Sequence, residues 1–178
     1  MKTPYAQAAA ALFVALTATA HAQSVQPGLW EIKHDMRIPG QPDVSAQMAQ
    51  LREQMKGLPP EARKMMEQQM GSMGIGMGEG TALRICLAPE DIKDDVIREG
   101  DTEGDCTFTK VSRSGNTWRG RMVCTDPPSQ GDFTTTLHGP AHYTTEATLT
   151  SPEHGRIDMK TDARRISGDC GTLAKTPR

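Results

Sequence analysis

The sequence predicts a mainly β fold, an antiparallel meander that curls into a partial barrel and carries a helical, methionine-rich insert. Several runs alternate apolar and polar residues with a period of two, as strands with one buried face do. Short turn sequences separate these runs, so consecutive strands are expected to pair as hairpins. Between residues 43 and 70 the apolar spacing changes to that of helices.

The chain begins with a segment that is typical of a secretory signal peptide. Lys2 precedes an apolar run from Ala8 to Ala18, and Ala20-His21-Ala22 is a small-x-small cleavage sequence. We expect cleavage after Ala22, which leaves residues 23–178 as one periplasmic domain. Gln23 stands where a lipoprotein would have cysteine, so free export is favoured over a lipid anchor.

The charge of the chain argues against nucleic acid or an anionic membrane as a partner. Lys and Arg number 20 and Asp and Glu number 22, with both signs interspersed. After the signal peptide, no stretch approaches the roughly 20 apolar residues of a membrane helix. The motifs GxSxG and HExxH, the P-loop and the dinucleotide fingerprint are missing from the sequence. We therefore expect a protein that is not an enzyme and uses no cofactor.

The first strand is predicted between Pro27-Gly28 and Pro39-Gly40. Trp30 and Ile32 lie on its apolar face, and we interpret His34 on the same face as a half-buried histidine rather than a ligand. A second, short strand is predicted from Ala82 to Leu87. The residues between these strands form the insert.

The insert, about residues 43–80, is predicted to be a helical hairpin interrupted at Pro59-Pro60. A glycine-rich and flexible segment is expected from Gly71 to Gly80. Seven methionines lie between Val44 and Gly80. Five of them recur at short, helix-like spacings: Met65, Met66, Met70, Met73 and Met77. Thioethers are preferred ligands of Cu(I), but methionine also suits adaptable packing and surfaces that bind several partners.

After the second strand, Pro89 is predicted to start a helical turn that continues to about Arg98. A regular hairpin follows from Asp105 to Thr125. If Arg113 and Thr117 close a three-residue loop, the cross-strand partners are fixed along both strands. The predicted pairs are Cys106 with Cys124, Phe108 with Met122, and Ser112 with Trp118.

Two more hairpins share the buried face of the first one. A turn at residues 126–130 precedes the strand of Phe133 and Leu137, and a loop from His138 to His142 leads to the next strand. The register sets Leu137 opposite Tyr143 and, after a turn at 151–155, Leu149 opposite Ile157. The predicted core is lined by Trp30, Ile32, Phe108, Trp118, Met122, Phe133, Leu137, Tyr143, Leu149, Ile157 and Met159.

The four cysteines predict two disulfides in an exported protein. The hairpin register favours Cys106–Cys124, which leaves Cys86–Cys170. Pairing of Cys86 with Cys106 and of Cys124 with Cys170 is the second choice. A zinc site is disfavoured because the cysteines are widely spaced and form no CxxC pair.

Two polar groupings are weaker candidates. His138 and His142 stand at the ends of one loop, but two imidazoles without a third ligand make a weak metal site. The acidic clusters Asp94-Asp95 and Asp101 to Asp105 lack the spacing of a calcium loop and are expected to be solvated.

Several short motifs carry a resemblance to a known family. They are Pro27-Gly28-Leu29-Trp30-Glu31, the strand-end Cys86, the pair Cys106 and Cys124, and Gly168-Asp169-Cys170. With these motifs the chain resembles a proteobacterial secreted family, the domain of unknown function numbered thirty-six seventeen. The resemblance covers nearly the whole mature chain and implies a periplasmic location, paired cysteines and no established activity.

Together these features predict a periplasmic, non-enzymatic binding or envelope-associated protein. The sequence does not specify its ligand: an apolar small molecule or an envelope protein, held by the curled sheet or by the insert, is our first hypothesis. A Cu(I)-binding protein that uses the insert is the alternative. An enzyme with an unrecognised site is the third hypothesis.

Overall fold

The computed structural model describes residues 24–41, 44–92 and 95–173, so the predicted signal peptide, Gln23, Asp43 and Asp94 lie outside the described residues. Within them, nine strands form one sheet. The strands are β1 (Gly28–Arg37), β2 (Ile75–Met77), β3 (Leu83–Leu87), β4 (Thr102–Glu103), β5 (Cys106–Ser114), β6 (Thr117–Thr125), β7 (Pro128–Leu137), β8 (His142–Ser151) and β9 (Gly155–Ser167). The helices are α1 (Val44–Lys56) and α2 (Pro60–Ser72).

Every neighbouring pair of strands is antiparallel, in the order β2-β3-β1-β9-β8-β7-β6-β5-β4. The mainly β fold with a meander from β5 to β9 is confirmed. The sheet is open, with β2 and β4 at its edges. It curls around a core against which Met36 of β1 and the following Ile38 pack, because a strongly twisted sheet buries one face by bending around it.

The predicted registers of the last two hairpins are confirmed. Leu137 pairs with Tyr143 and Phe133 with Ala147 between β7 and β8. Leu149 pairs with Ile157 between β8 and β9. Alternation fixes these registers because a shift of one residue would turn the apolar side chains towards solvent.

The central hairpin differs from the prediction at its tip. Cys106 pairs with Cys124 and Phe108 with Met122 as predicted, but Ser112 pairs with Arg119 rather than Trp118. The turn has two residues instead of three, since Ser114 pairs with Thr117. A bulge between Thr109 and Ser112 absorbs the extra residue.

The bulge brings Lys110 to a φ of 53°, a left-handed conformation that is uncommon for a side chain with a Cβ. Glu99 supports it, because the Val111 N–H donates to Glu99 Oε2 at 2.9 Å. Hydrogen bonds from the backbone of Val111 and Lys110 lower the pKa of Glu99. The carboxylate therefore covers the exposed side of β5, where strand edges are prone to pair with other chains.

Three local predictions are wrong. The turn between β6 and β7 comprises only Asp126 and Pro127, because Thr125 already pairs with Pro128. The segment from Gly71 to Gly80 is not simply a flexible loop, since it contains β2, which pairs with β3. The helical turn at Pro89 ends at Asp91, where Ile92 is extended, instead of continuing to Arg98.

Asp95 contacts the indole of Trp118. Trp118 Nε1 donates to Asp95 Oδ1 at 2.9 Å, and Arg113 Nη1 lies 2.9 Å from the same oxygen. The Arg113 guanidinium also stacks over the Trp118 ring, 4.5 Å from its centroid. A buried indole N–H needs such a partner, so Asp95 is part of the structure rather than a solvated loop residue.

The core consists of two clusters rather than one. The larger cluster is formed by Phe108, Trp118, Met122, Cys124, Phe133, Leu137, Ala147, Leu149 and Ile157. Trp30, Ile32 and Ala163 form the smaller one. Tyr143 and Val25 pack against both clusters and join them. The predicted core residue Met159 is partly buried beside the larger cluster.

Burial raises the pKa of Tyr143 to about 12, and the negative charge of Glu103 acts in the same direction. The neutral phenol is thus favoured in the folded state, so its contribution to stability is present below pH 10 and is lost as the pH rises towards 12. The sequence has two tyrosines, Tyr5 and Tyr143. In the chain from residue 23 onwards, alkaline titration of the tyrosinate absorbance will report Tyr143 alone, with a midpoint well above the ordinary value near 10. A midpoint near 10 in the folded protein would contradict this environment.

The predicted disulfides, Cys86–Cys170 and Cys106–Cys124, are both present. Cys86 pairs across β3 and β1 with Leu29, on the face opposite Trp30. The bond therefore ties the segment after β9 to the outer face of the sheet, away from the core. None of the described helices is long and apolar enough to cross a membrane.

Candidate functional site

The methionine-rich insert presents apolar side chains to solvent. Met65 is 70% exposed, Met73 51% and Met66 37%, while Met70 is half-buried. Leu51 of α1 is 50% exposed and stands about as far from the helix connection as Met66. Single exposed apolar residues are normal, whereas several on one pair of helices make a candidate binding surface. We call these five residues the methionine face.

Local sequence explains why the two helices form. Pro60 occupies the first position of α2, where a missing N–H costs no hydrogen bond. Gly57 follows the last residue of α1, and the Leu58 N–H donates to Met55 O at 3.1 Å. The Arg63 guanidinium reaches back to Lys56 O and Leu58 O, each at 3.4 Å, and so closes the connection between the helices.

Two contacts hold the hairpin to the rest of the protein. Arg52 Nη1 donates to Gly78 O at 2.9 Å, which ties α1 to the turn between β2 and β3. The Leu173 side chain lies beside both Gly71 of α2 and Gly76 of β2, where an added Cβ would be 3.9 Å and 3.1 Å from it. Leu173 follows Cys170, which the disulfide to Cys86 holds in place. The hairpin is therefore held to the rest of the protein through both of its helices.

The structure separates the five methionines that the sequence grouped. Met66, Met70 and Met73 follow one side of α2, because residues three and four apart are neighbours on a helix. Met65 directly precedes Met66 in α2 and therefore lies beside this row rather than in it. Met77 belongs to β2 and pairs with Leu83, so it lies with the sheet and not with the helical set.

Charges of both signs flank the methionine face. The helices carry four basic residues and three acidic ones: Arg52, Lys56, Arg63, Lys64, Glu53, Glu61 and Glu67. Lys56 pairs with Glu53 three residues earlier. The hairpin thus presents an apolar face within a nearly neutral polar rim.

A second feature is an ionic ladder on the outer face of the sheet. In the strand register, Lys33 stands opposite Asp162 and Asp35 opposite Lys160 between β1 and β9. Lys160 in turn stands opposite Glu146 of β8. Lys160 Nζ lies 2.8 Å from Glu146 Oε1. These residues line a shallow cleft of about 380 Å³. Glu146 engages the charge of Lys160, while Arg37 pairs with Asp35 and Arg164 with Asp162, which makes the cleft a weaker candidate than the methionine face.

The loop histidines are brought together next to this ladder. Their rings stack with centroids 4.6 Å apart. His138 Nε2 lies 2.8 Å from Thr144 Oγ1, and His142 Nε2 lies 3.2 Å from Asp162 Oδ2. Across residues 24–41, 44–92 and 95–173, no group of three or more His, Cys, Asp or Glu residues is placed to hold a metal.

Asp162 links the histidine pair to the ladder. Burial alone would raise the pKa of Asp162, but hydrogen bonds from Arg164 and His142 hold it below its ordinary value. Arg164 Nε donates at 2.8 Å. The carboxylate thus stays charged and orients the imidazole of His142. His34 is exposed rather than half-buried, and its Nδ1 lies 3.0 Å from Thr161 Oγ1.

Sequence reasoning found the methionines but missed the cleft. Lys33, Asp35, Lys160 and Asp162 occupy alternate positions on their strands, and this pattern is also that of any solvated sheet face. The signal needed to place them together is the pairing of β1 with β9, which brings together residues more than 120 positions apart in the sequence.

The model of the family described as "Protein of unknown function (DUF3617)" matches residues 25–170. The chain belongs to this family. The matched region includes all nine described strands, Cys170 and both helices of the insert. The methionine face therefore lies within the family region.

One relative is a protein of Pseudomonas putida described as "Uncharacterized protein in lpd-3 5'region". The two are 39% identical over 112 residues, which cover 62% of this chain and 75% of the relative. No solved structure matches the chain significantly.

Proposed function

We propose that this protein is a periplasmic, non-enzymatic binding protein that uses the methionine face to hold an apolar segment of an envelope protein. The carrying observation is the exposure of Met65, Met66 and Met73 on a hairpin that Arg52 holds against the sheet. Unbranched thioether side chains adapt to irregular apolar surfaces. Two disulfides support a location in an oxidising compartment.

The interior of the curled sheet is a poorer binding place. Trp118 and Leu137 are fully buried, and Phe133 is almost fully buried. These side chains fill the concave face with the protein's own core, as dense packing requires. The methionine face has no such cover among the described residues.

The charges around the hairpin favour a protein partner over an anionic membrane. Membrane-surface helices commonly carry an excess of Lys and Arg on their polar face. Here basic and acidic residues nearly balance, which suits the polar rim of a protein interface.

A Cu(I) site is the second candidate function. Met66, Met70 and Met73 line one side of α2 and its end, and soft sulfur ligands prefer Cu(I). Three thioethers in a row supply this donor set without any cysteine.

The test exchanges methionine for two residues of similar length. The first variant combines Met65→Leu, Met66→Leu, Met70→Leu and Met73→Leu, and keeps the surface apolar. The second places glutamine at the same positions, and makes it polar while preserving a good helix former. We expect the leucine variant to retain a partner from periplasmic extract and the glutamine variant to lose it by about tenfold or more, because the interface depends on apolar burial.

Native mass spectrometry of the purified complexes identifies what is held. Equal capture by both variants would contradict the proposal. Loss of a bound copper ion in both variants would establish the Cu(I) function instead, since neither leucine nor glutamine supplies sulfur. A retained lipid in the unmodified protein would replace the protein partner with a membrane component.

The hairpin should be dispensable for folding. Its methionines are exposed, whereas β2 pairs with β3, so the replacement is limited to residues 44–72. With a Gly-Ser linker of about 12 residues, which spans roughly 40 Å when extended, the sheet should still melt cooperatively with both disulfides formed. Capture of the partner should disappear. Failure to fold would show that the helices cover part of the core.

A further inference from the structure

We propose that Met65, Met66 and Met73 are sites of reversible oxidation to methionine sulfoxide, which switches off apolar binding at the methionine face. The inference rests on the binding role proposed above and adds its regulation. The oxidant is a peroxide or hypochlorous acid, chemical classes that convert thioethers by oxygen transfer.

Exposure distinguishes these methionines from those of the sheet. Met65 and Met73 are more than half exposed, whereas Met122 is 6% exposed within the core. Met36 and Met159 are partly buried against the same core. Because the oxidant must reach the sulfur atom, reaction will begin on the hairpin.

Competing oxidisable side chains are protected. All four cysteines are joined in disulfides, so no thiol is available to react. Both tryptophans, Trp30 and Trp118, are almost completely buried. The exposed thioethers of the hairpin are therefore the most accessible groups for a two-electron oxidant on the described surface.

The reaction balances at each sulfur atom. A sulfur lone pair attacks one oxygen of hydrogen peroxide, the S–O bond forms as the O–O bond breaks, and water leaves after proton transfer. The sulfur loses two electrons and the peroxide gains them. A reductase with a dithiol reverses the step, and sulfoxide and dithiol become thioether, disulfide and water.

Oxidation to the sulfoxide makes the methionine face more polar, which is the change that a binding switch requires. A sulfoxide is polar and accepts hydrogen bonds, so burying it against an apolar partner carries a desolvation cost that the thioether does not have. The methionines Met65, Met66 and Met73 are exposed and belong to neither core cluster, so oxidation leaves the packed core intact. Binding is lost while the fold remains.

The first experiment maps the order of oxidation. The disulfide-bonded chain from residue 23 onwards is treated with limiting hydrogen peroxide and digested with trypsin. The peptide Met65–Arg84 carries the sulfur atoms of Met65, Met66, Met70 and Met73 together with that of Met77, while Met36, Met122 and Met159 fall on separate peptides. Fragment sequencing should show sulfoxide at Met65 and Met73 about tenfold or more faster than at Met122. Equal rates at Met65 and Met122 would overturn the proposal.

The second experiment measures the surface directly by retention on a phenyl-substituted column. Peroxide should shorten the retention of the unmodified protein, and methionine sulfoxide reductases A and B should restore it. The leucine variant at positions 65, 66, 70 and 73 should keep its retention throughout, because leucine is not oxidised. Loss of retention in that variant, or no loss in the unmodified protein, would contradict the switch. Failure of the reductases would show that oxidation there is damage.

These readouts are independent of the proposed partner. If neither the unmodified protein nor the leucine variant captures a partner, the proposed function fails, even where the oxidation pattern is as expected. If both capture it and peroxide leaves capture by the unmodified protein unchanged, the binding function stands and the oxidation switch fails.

Discussion

Replacing both Cys86 and Cys170 by alanine will lower the free energy of unfolding by about 4–5 kcal/mol. The bond closes a loop of 84 residues, and the unfolded chain gains the entropy of that loop when the bond is absent. The segment after β9 also loses its attachment, so Leu173 no longer packs beside Gly76. Urea denaturation of the two proteins under oxidising conditions measures the difference.

The other disulfide provides the matched control. Cys106–Cys124 closes a loop of only 18 residues, for which the same model gives about 3 kcal/mol. Replacing Cys106 and Cys124 by alanine should therefore destabilise the protein less. If the loss of Cys106–Cys124 proved the more harmful, cross-strand packing rather than loop entropy would govern the contribution of these bonds.

Replacing Phe133 by alanine will cost about 3–5 kcal/mol. Phe133 is 2% exposed, and its ring meets that of Phe108 edge-on with centroids 5.0 Å apart. Gly120 on the neighbouring strand leaves room for the ring, because a Cβ there would lie 2.9 Å from Phe133 Cε1. Removing the ring leaves a cavity at the centre of the larger cluster, which its rigid strands cannot refill.

Val123→Ala is the control for this change. Val123 lies on β6 beside the same core, but it is 39% exposed and faces solvent. We expect a loss below about 1 kcal/mol from it. A similarly small loss at Phe133 would mean that the assignment of the inner face of β7 is wrong.

Stability and binding are thus assigned to different parts of the molecule. The disulfides and the core clusters lie in the sheet, while the methionine face is on helices attached through Arg52 and Leu173. Changes at the methionine face should alter binding and leave the melting of the sheet almost unchanged. This separation allows the binding variants to be interpreted without correction for unfolding.

The sequence was sufficient where neighbours in the sheet are also neighbours in the chain. The strands β5 to β9 follow one another through short turns, so alternation and turn length determine which residues face each other. Both disulfides followed from this reasoning, because the hairpin places Cys106 opposite Cys124 and leaves Cys86 with Cys170. The predicted register at the tip of the central hairpin was wrong, because a bulge with a two-residue turn satisfies the same alternation as a regular hairpin with a three-residue turn.

The candidate site was predictable in composition but not in arrangement. The methionines stand out in the sequence, yet their exposure depends on whether the helices cover the sheet, which no helical pattern reveals. Met77 joined the sheet because β3 offers backbone hydrogen bonds to residues 75–77. The ionic cleft required the pairing of β1 with β9 and had no local signal.

The sequence by itself determined the period-two strands and the helical hairpin and favoured the observed cysteine pairing, because each depends on side chains close in the chain or on elimination among four cysteines. Only the tertiary structure decided that β1 lies between β3 and β9, that the core divides into two clusters, and that the methionine face is open to solvent. The physical reason is that these features depend on which distant surfaces meet. Burial of apolar area favours contacts between surfaces whatever their separation along the chain.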